Sequence, residues 1–345
     1  MQSLDKLPSL LLPWYSRNAR TLPWRESHDP YRVWVSEIML QQTRVEAVLG
    51  YYARFLEAFP TLADLAEADE DRLMKLWEGL GYYSRARNLQ KAAQKIVAEH
   101  GGIFPDTYDA IRALPGVGAY TAGAVSSICF EMPRAAVDGN VLRVTARYLD
   151  DDTPIDAQSH KDAVTKALEA VYPVGNCGTF TQSLMELGAT VCTPRSPKCA
   201  VCPLSAQCLA YRHGTAASLP VKLPKKEKKL VRKTVFLLLC GDSLALCRRE
   251  ASGLLGGMWE LPNVDVPLDA DGALQTADSF GVKPLQVLSQ TERTHIFTHI
   301  RWEMVGYTIL CAEQNERFIW RTPLQIETEY GLPTAFRKFL EDDFR

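Results

Sequence analysis

Leu114-Pro115-Gly116-Val117-Gly118 lies between two stretches of helical periodicity, and the second opens at once with Ala119-Tyr120-Thr121-Ala122-Gly123-Ala124-Val125. Two glycines let the backbone come close to a partner, and the helix start that follows exposes free amide groups. The stretch reads as a phosphate cradle or as an ordinary tight helix–helix turn. Outward from it, apolar residues recur at helical spacing over 31–41, 44–58, 84–98, 119–130, 139–149, 160–171 and 178–191. Pro- or Gly-bearing breaks such as Phe59-Pro60-Thr61 and Gly101-Gly102 separate several of them. Residues 1–221 are therefore expected to form a mostly α-helical region.

The texture then changes. Residues 222–233 hold seven basic and one acidic residue, the composition of an exposed basic linker, either a solvated tether or a set of phosphate contacts. Beyond it, Thr234–Cys240 and Leu244–Arg248 flank Gly241-Asp242-Ser243 as a β-hairpin, 284–311 holds strand-like alternation, and 333–341 looks helical. Residues 234–345 are expected to be a smaller α+β domain. The total of 345 residues, 46% of them hydrophobic, suits two domains with sizeable cores and excludes wholesale disorder. No apolar run approaches 18 residues, and the start lacks a signal-peptide pattern, so neither a membrane span nor secretion is expected. With a net charge of −2, any polyanion must be met by local stripes.

Nine cysteines are unevenly placed: Cys192, Cys199, Cys202 and Cys208 cluster, and five others are scattered. One metal site in a cytoplasmic chain explains this better than a disulfide framework. Four thiolates in a C-x6-C-x2-C-x5-C pattern serve zinc and an iron–sulfur cubane equally well.

Two carboxylates invite a catalytic reading. Glu37 has Val33, Trp34, Leu40 and Gln41 as helical neighbours; it reads as a desolvated carboxyl with a raised pKa, suited to general-acid work, or as a helix-edge Glu that is partly exposed or paired with an arginine. Asp138 heads Gly139-Asn140-Val141-Leu142 as an N-cap, where backbone amides would keep it ionised. Cleavage at an anomeric carbon needs that division of labour. Tyr82-Tyr83-Ser84-Arg85-Ala86-Arg87 continues into Lys91 and Lys95 with no acidic residue from Gly81 to Lys95, as a nucleic-acid groove would, or simply as a solvated helix face.

Together these segments resemble the helix-hairpin-helix DNA glycosylases with an iron–sulfur cluster, and within them the adenine DNA glycosylases, the MutY family. The resemblance runs through Leu22-Pro23-Trp24-Arg25, Ser36–Thr43, Trp77–Tyr83, Val137–Val141, Glu186–Ala189 and the cysteine loop 192–208. It implies removal of adenine mispaired with 8-oxoguanine or guanine in double-stranded DNA, acting as a monomer. It implies that Glu37 protonates the adenine imidazole ring and that Asp138 stabilises the oxocarbenium-like sugar, by charge or a transient covalent bond. Tyr120 and Asn140 would support them. Leu22, Trp24 and Gln182 would line the adenine pocket, Gln42 and Tyr82 would wedge beside 8-oxoguanine, and Gly116 and Gly118 would hold a phosphate. Cys192, Cys199, Cys202 and Cys208 would bind a [4Fe-4S] cluster. Relatives that also cut the strand carry a lysine just after the hairpin; here Tyr120 stands there, and no lysine lies between Lys95 and Lys161, so a monofunctional enzyme is implied. The C-terminal part resembles a Nudix-like 8-oxoguanine-recognition domain through Gly253–Pro262, with Phe297, Thr298 and His299 as the lesion-reading triplet. Residues 264–284 lack the glutamates of a magnesium-binding Nudix helix, so pyrophosphate hydrolysis is not expected.

Overall fold

The computed structural model describes residues 3–224, 227–250 and 252–343. The chain forms two compact units. One holds the residues up to Glu67 together with Asn88–Pro224; the other holds Ala68–Arg87 and the chain beyond Pro224.

The first unit is helical. Its centre is the helix Pro30–Leu40, started by Asp29, whose carboxylate accepts the Tyr31 amide at 2.9 Å, and by Pro30, preset for the first turn. Such a cap is worth about 1 kcal/mol. Every residue from Val33 to Met39 is buried, Ser36 and Glu37 included. The helix Ala119–Phe130 packs beside it and is buried along Thr121–Ile128. The helix Cys177–Thr190 packs against Ala119–Phe130, Gly139–Leu149 and Leu7–Asn18 around Leu11, Val144, Phe180, Leu184 and Leu187. Gly188 makes one of these contacts possible: a Cβ there would lie 2.6 Å from the Asn140 Cβ.

In the second unit the strands β1 (Lys229–Cys240), β2 (Ser243–Arg248), β3 (Trp259–Glu260), β4 (Asn263–Val264), β5 (Pro284–Ile296), β6 (Ile300–Cys311) and β7 (Ile319–Arg321) form one mixed sheet. Its order is β3-β2-β1-β6-β5, with β1 and β6 parallel and the other pairings antiparallel. Side chains alternate across β1. Val235 and Leu237 meet Phe336 and Phe339 of the helix Thr334–Asp343; Phe236 and Leu238 meet Ala273 and Ala277 of the helix Ala270–Ser279. With both faces covered, the strand reads as one continuous apolar run.

Two boundaries differ from the sequence reading. The stretch read as a linker over 222–233 enters β1 at Lys229. Lys233 is buried because its ammonium lies 4.7 Å over the Trp302 ring and bonds to Asn263 and Asp265. Lys225 and Lys226 of that stretch lie outside the described residues. The segment 68–87, read as part of the helical region 1–221, packs instead with the C-terminal chain. Trp259 Nε1 donates to Asp71 at 3.0 Å, and Glu78 takes Lys75 at 2.6 Å, Arg337 at 3.1 Å and the Leu332 amide at 3.1 Å.

Candidate active site

Leu22, Trp24, Glu37, Tyr120, Asp138, Asn140 and Gln182, far apart in sequence, line one cavity of about 180 Å³ in the first unit. Glu37 reaches it from the central helix. Its Oε2 accepts the Tyr120 hydroxyl at 2.7 Å, and Oε1 has no protein partner among the described residues. Burial pushes the Glu37 carboxyl up to about 7, against the Tyr120 hydrogen bond and with help from the charge of Asp138. Near neutral pH it therefore holds a proton it can give away.

Asp138 enters as the N-cap of Gly139–Leu149. Its Oδ1 accepts the amides of Asn140 and Val141 at 2.9 and 2.8 Å, and its Oδ2 accepts Asn140 Nδ2 at 2.7 Å. The cap expected from the sequence is thus present, yet burial outweighs it and raises the Asp138 pKa above its ordinary value. The two carboxyls compete for one negative charge. Asp138, with three hydrogen-bond donors, is the better place for it, and Glu37 keeps the proton.

The opposite wall is ionic. Glu186, fully buried, accepts Arg20 Nε at 2.7 Å and Arg25 Nη2 at 2.8 Å. Burial pushes its carboxyl up, but these guanidinium bonds win and hold it below its ordinary value. Removing one partner of so buried a set costs about 3–5 kcal/mol. In the sequence Glu186 and Arg25 stand out only as members of motifs, and Arg20 and Tyr15 carry no signal. Tyr15 donates to Gln182 Oε1 at 2.6 Å under the Arg25 guanidinium, 5.5 Å away. No local spacing joins residues so distant in sequence.

The other nominated residues do not line the cavity. Gly116 has φ +74°, and a Cβ there would lie 2.6 Å from Asn88; Gly118 caps Ala119–Phe130. Gln42 follows the central helix, exposed, with φ 59°. Tyr82 belongs to the second unit, 44% exposed, with φ 48°. A side chain in this left-handed region costs of order 1–3 kcal/mol, and such strain gathers at functional positions. Arg85 braces the Tyr82 turn through the carbonyls of Leu80 and Gly81, both at 3.1 Å. Tyr82 Oη and Thr298 Oγ1 share a hydrogen bond of 2.8 Å. Phe297, Thr298 and His299 form the turn from β5 to β6, with Phe297 against Trp302 and the other two exposed.

Cys192, Cys199, Cys202 and Cys208 lie in a loop just after Cys177–Thr190. Burial pushes the Cys202 thiol up to about 12, and the neighbouring Cys192, Cys208 and Cys199 sulfurs push the same way. Among the described residues no group of three or more His, Cys, Asp or Glu side chains is gathered around a single ion, although these four sulfurs feel one another. Partly buried thiols, with Cys199, Cys202 and Cys208 held above their ordinary pKa, suit a cationic iron–sulfur centre, which would turn that cost into a gain by deprotonating them. The loop is braced by Arg147, which donates to Cys192 Sγ at 3.4 Å and to the Thr193 carbonyl at 2.7 Å. Arg143 joins it to the cavity, donating to the Cys192 carbonyl at 2.7 Å, the Gly188 carbonyl at 2.8 Å and Asn140 Oδ1 at 2.8 Å.

A buried acid beside a capped carboxylate, on a helix-hairpin-helix frame with an iron–sulfur loop, defines a DNA N-glycosylase. Comparison with known proteins agrees. Residues 35–173 match the HhH-GPD superfamily of base excision DNA repair proteins, 192–208 the iron–sulfur binding domain of endonuclease III, and 234–342 the NUDIX domain. The chain is 32% identical to the adenine DNA glycosylase of Buchnera aphidicola subsp. Baizongia pistaciae, over 96% of this chain and 94% of that protein. It is 35% identical to the adenine DNA glycosylase of Rattus norvegicus, over 88% of this chain and 70% of that protein. A solved thermostable thymine-DNA glycosylase is similar at 31% identity and TM-score 0.55, covering 59% of this chain and 94% of that one. The chain belongs to the adenine DNA glycosylase family.

Proposed function

We propose that this chain excises adenine mispaired with 8-oxoguanine or guanine in double-stranded DNA, by hydrolysis alone and without cutting the strand. The observation that carries the reading is the Glu37–Tyr120–Asp138 arrangement, in which one carboxyl near pKa 7 is protonated and its neighbour is capped by three donors. The base leaves the stack and enters the cavity between Leu22, Trp24 and Gln182. Glu37 delivers its proton to the imidazole ring and the bond from C1′ to the base breaks. Asp138 stabilises the cationic sugar, and a water oxygen adds at C1′ as its proton passes to the Glu37 carboxylate, leaving free adenine, an abasic site and the acid restored. Tyr120 stands where a lyase would need an amine, and among the described residues no lysine lines the cavity.

The further roles belong to the same proposal. Gln42 and Tyr82 enter the duplex beside the lesion, Gly116 and Gly118 hold a phosphate, and Phe297, Thr298 and His299 read 8-oxoguanine. The four cysteines would hold a [4Fe-4S] cluster that organises the loop around them. The enzyme works as a cytoplasmic monomer. No helix is long and apolar enough to cross a membrane among the described residues.

The test is single-turnover base release from duplexes holding adenine opposite 8-oxoguanine, guanine or thymine, or thymine glycol opposite adenine. Release of adenine opposite 8-oxoguanine and guanine is expected, with strand breaks only after alkali. Release of the oxidised pyrimidine, or breaks without alkali, contradicts the proposal. Purified protein is expected to be yellow-brown with about four irons per chain; stoichiometric zinc would refute the cluster assignment.

A further inference from the structure

Gln182 lines the cavity from the helix Cys177–Thr190. Its Oε1 accepts the Tyr15 hydroxyl at 2.6 Å, while its Nε2 has no protein partner among the described residues. Tyr15 does not line the cavity. It is buried on the helix Leu7–Asn18, with its ring beneath the Arg25 guanidinium that Glu186 anchors.

A primary amide has almost the same shape in its two orientations, so only hydrogen bonds choose between them. Turning Gln182 over would bring its NH2 group to Tyr15. The phenol proton would then lose Oε1, the one acceptor it has among the described residues. A buried donor left without a partner is disfavoured, so the phenol selects one orientation.

We infer that Tyr15 is a positioning residue that locks the amide of Gln182 so that the base pocket presents a hydrogen-bond donor, not an acceptor, to the extruded base. This rests on the proposed reading of the cavity as an adenine pocket. With N7 taken by the proton of Glu37, the acceptors left on adenine are N1 and N3, and the Gln182 amide pairs with one of them. A base that carries a proton at that ring position meets donor against donor. The lock therefore acts on base selectivity, without touching the base.

The test compares single-turnover release of adenine, 1-deazaadenine and 3-deazaadenine opposite 8-oxoguanine by the wild-type chain, Tyr15→Phe, Gln182→Glu and the double variant. In the wild type, one of the two analogues should lose roughly ten- to a hundredfold against adenine in rate at limiting enzyme, the worth of one buried hydrogen bond. In Tyr15→Phe that ratio should shrink to within about threefold, because the freed carbonyl can turn inward and accept the 6-amino group. In Gln182→Glu, which has no donor to present, the ratio should shrink with Tyr15 intact, and adding Tyr15→Phe should leave it there. An unmoved ratio in Tyr15→Phe, or an equal drop on all three bases, would overturn the lock. So would a wild type indifferent to both analogues. If Tyr15→Phe does not fold, Tyr15→Leu takes its place: a retained analogue ratio overturns the inference and a lost one, with adenine release kept, supports it. A wild type that releases no adenine at all overturns the functional reading and this one with it; release with an unmoved ratio overturns this one only.

Discussion

Glu37 holds a proton at a cost to the fold. Its pKa is raised from 4.5 to about 7. The folded chain thus binds this proton more tightly than the unfolded chain does. The stabilisation is complete below pH ~4.5 and is lost as pH rises through about 7, a swing on the order of 3 kcal/mol. Two outcomes follow for Glu37→Gln. Base release should be abolished with DNA binding largely kept, as single-turnover and binding assays would show. Its thermal midpoint should exceed the wild type at pH 8 and match it near pH 5, because the amide is neutral throughout. In the wild type, the rate of base release should fall as pH rises through about 7, since the acid form is the working one. Equal rates at pH 6 and 8 would remove Glu37 from the role of acid.

At the scale of elements, the helix Gly139–Leu149 carries Asp138 at its head and Arg143 one turn on, so one helix addresses both the cavity and the cysteine loop. Arg143→Gln should lower iron content and base release together, and should destabilise the fold by about 3 kcal/mol. Asn140→Ala should lower base release while leaving iron content near wild type. Iron assays beside single-turnover rates distinguish the two. This helix and seven others were legible in the sequence because their apolar residues recur on one face or all round. Leu7–Asn18 was not, because two prolines interrupt its pattern; Pro8 sits in the first turn, where no amide is missed, and Leu7, Leu11, Trp14 and Tyr15 bury the face. Ala270–Ser279 was also missed, its glycine, threonine and aspartates being weak helix formers that packing on the sheet overrides. The site was legible as separate residue types, Glu37 for its apolar neighbours and Asp138 for its capping position. Their meeting was not, nor was the Arg20–Glu186–Arg25 wall, because contacts across more than a hundred residues leave no periodic trace.

At the scale of the whole molecule, Tyr82 and Thr298, 216 residues apart, belong to one unit and share a hydrogen bond. If both read the base opposite adenine, Tyr82→Phe and Thr298→Val should each reduce the preference for 8-oxoguanine over guanine, and the double variant should do little more than either alone. Strictly additive losses in that cycle would mean that the two act separately. The pairing depends on Ala68–Arg87, which leaves the first unit after Glu67 and returns to it at Asn88. The chain thus passes between its two units at three places instead of one. A cut in the basic stretch near Pro224 would not free the C-terminal piece, since Asp71 and Glu78 still grip Trp259, Leu332 and Arg337. The peptide that joins the units in sequence is therefore not their only tether. A segment lying between Glu67 and Asn88 in sequence thus completes the second unit, which cannot be cut from the chain as one contiguous piece.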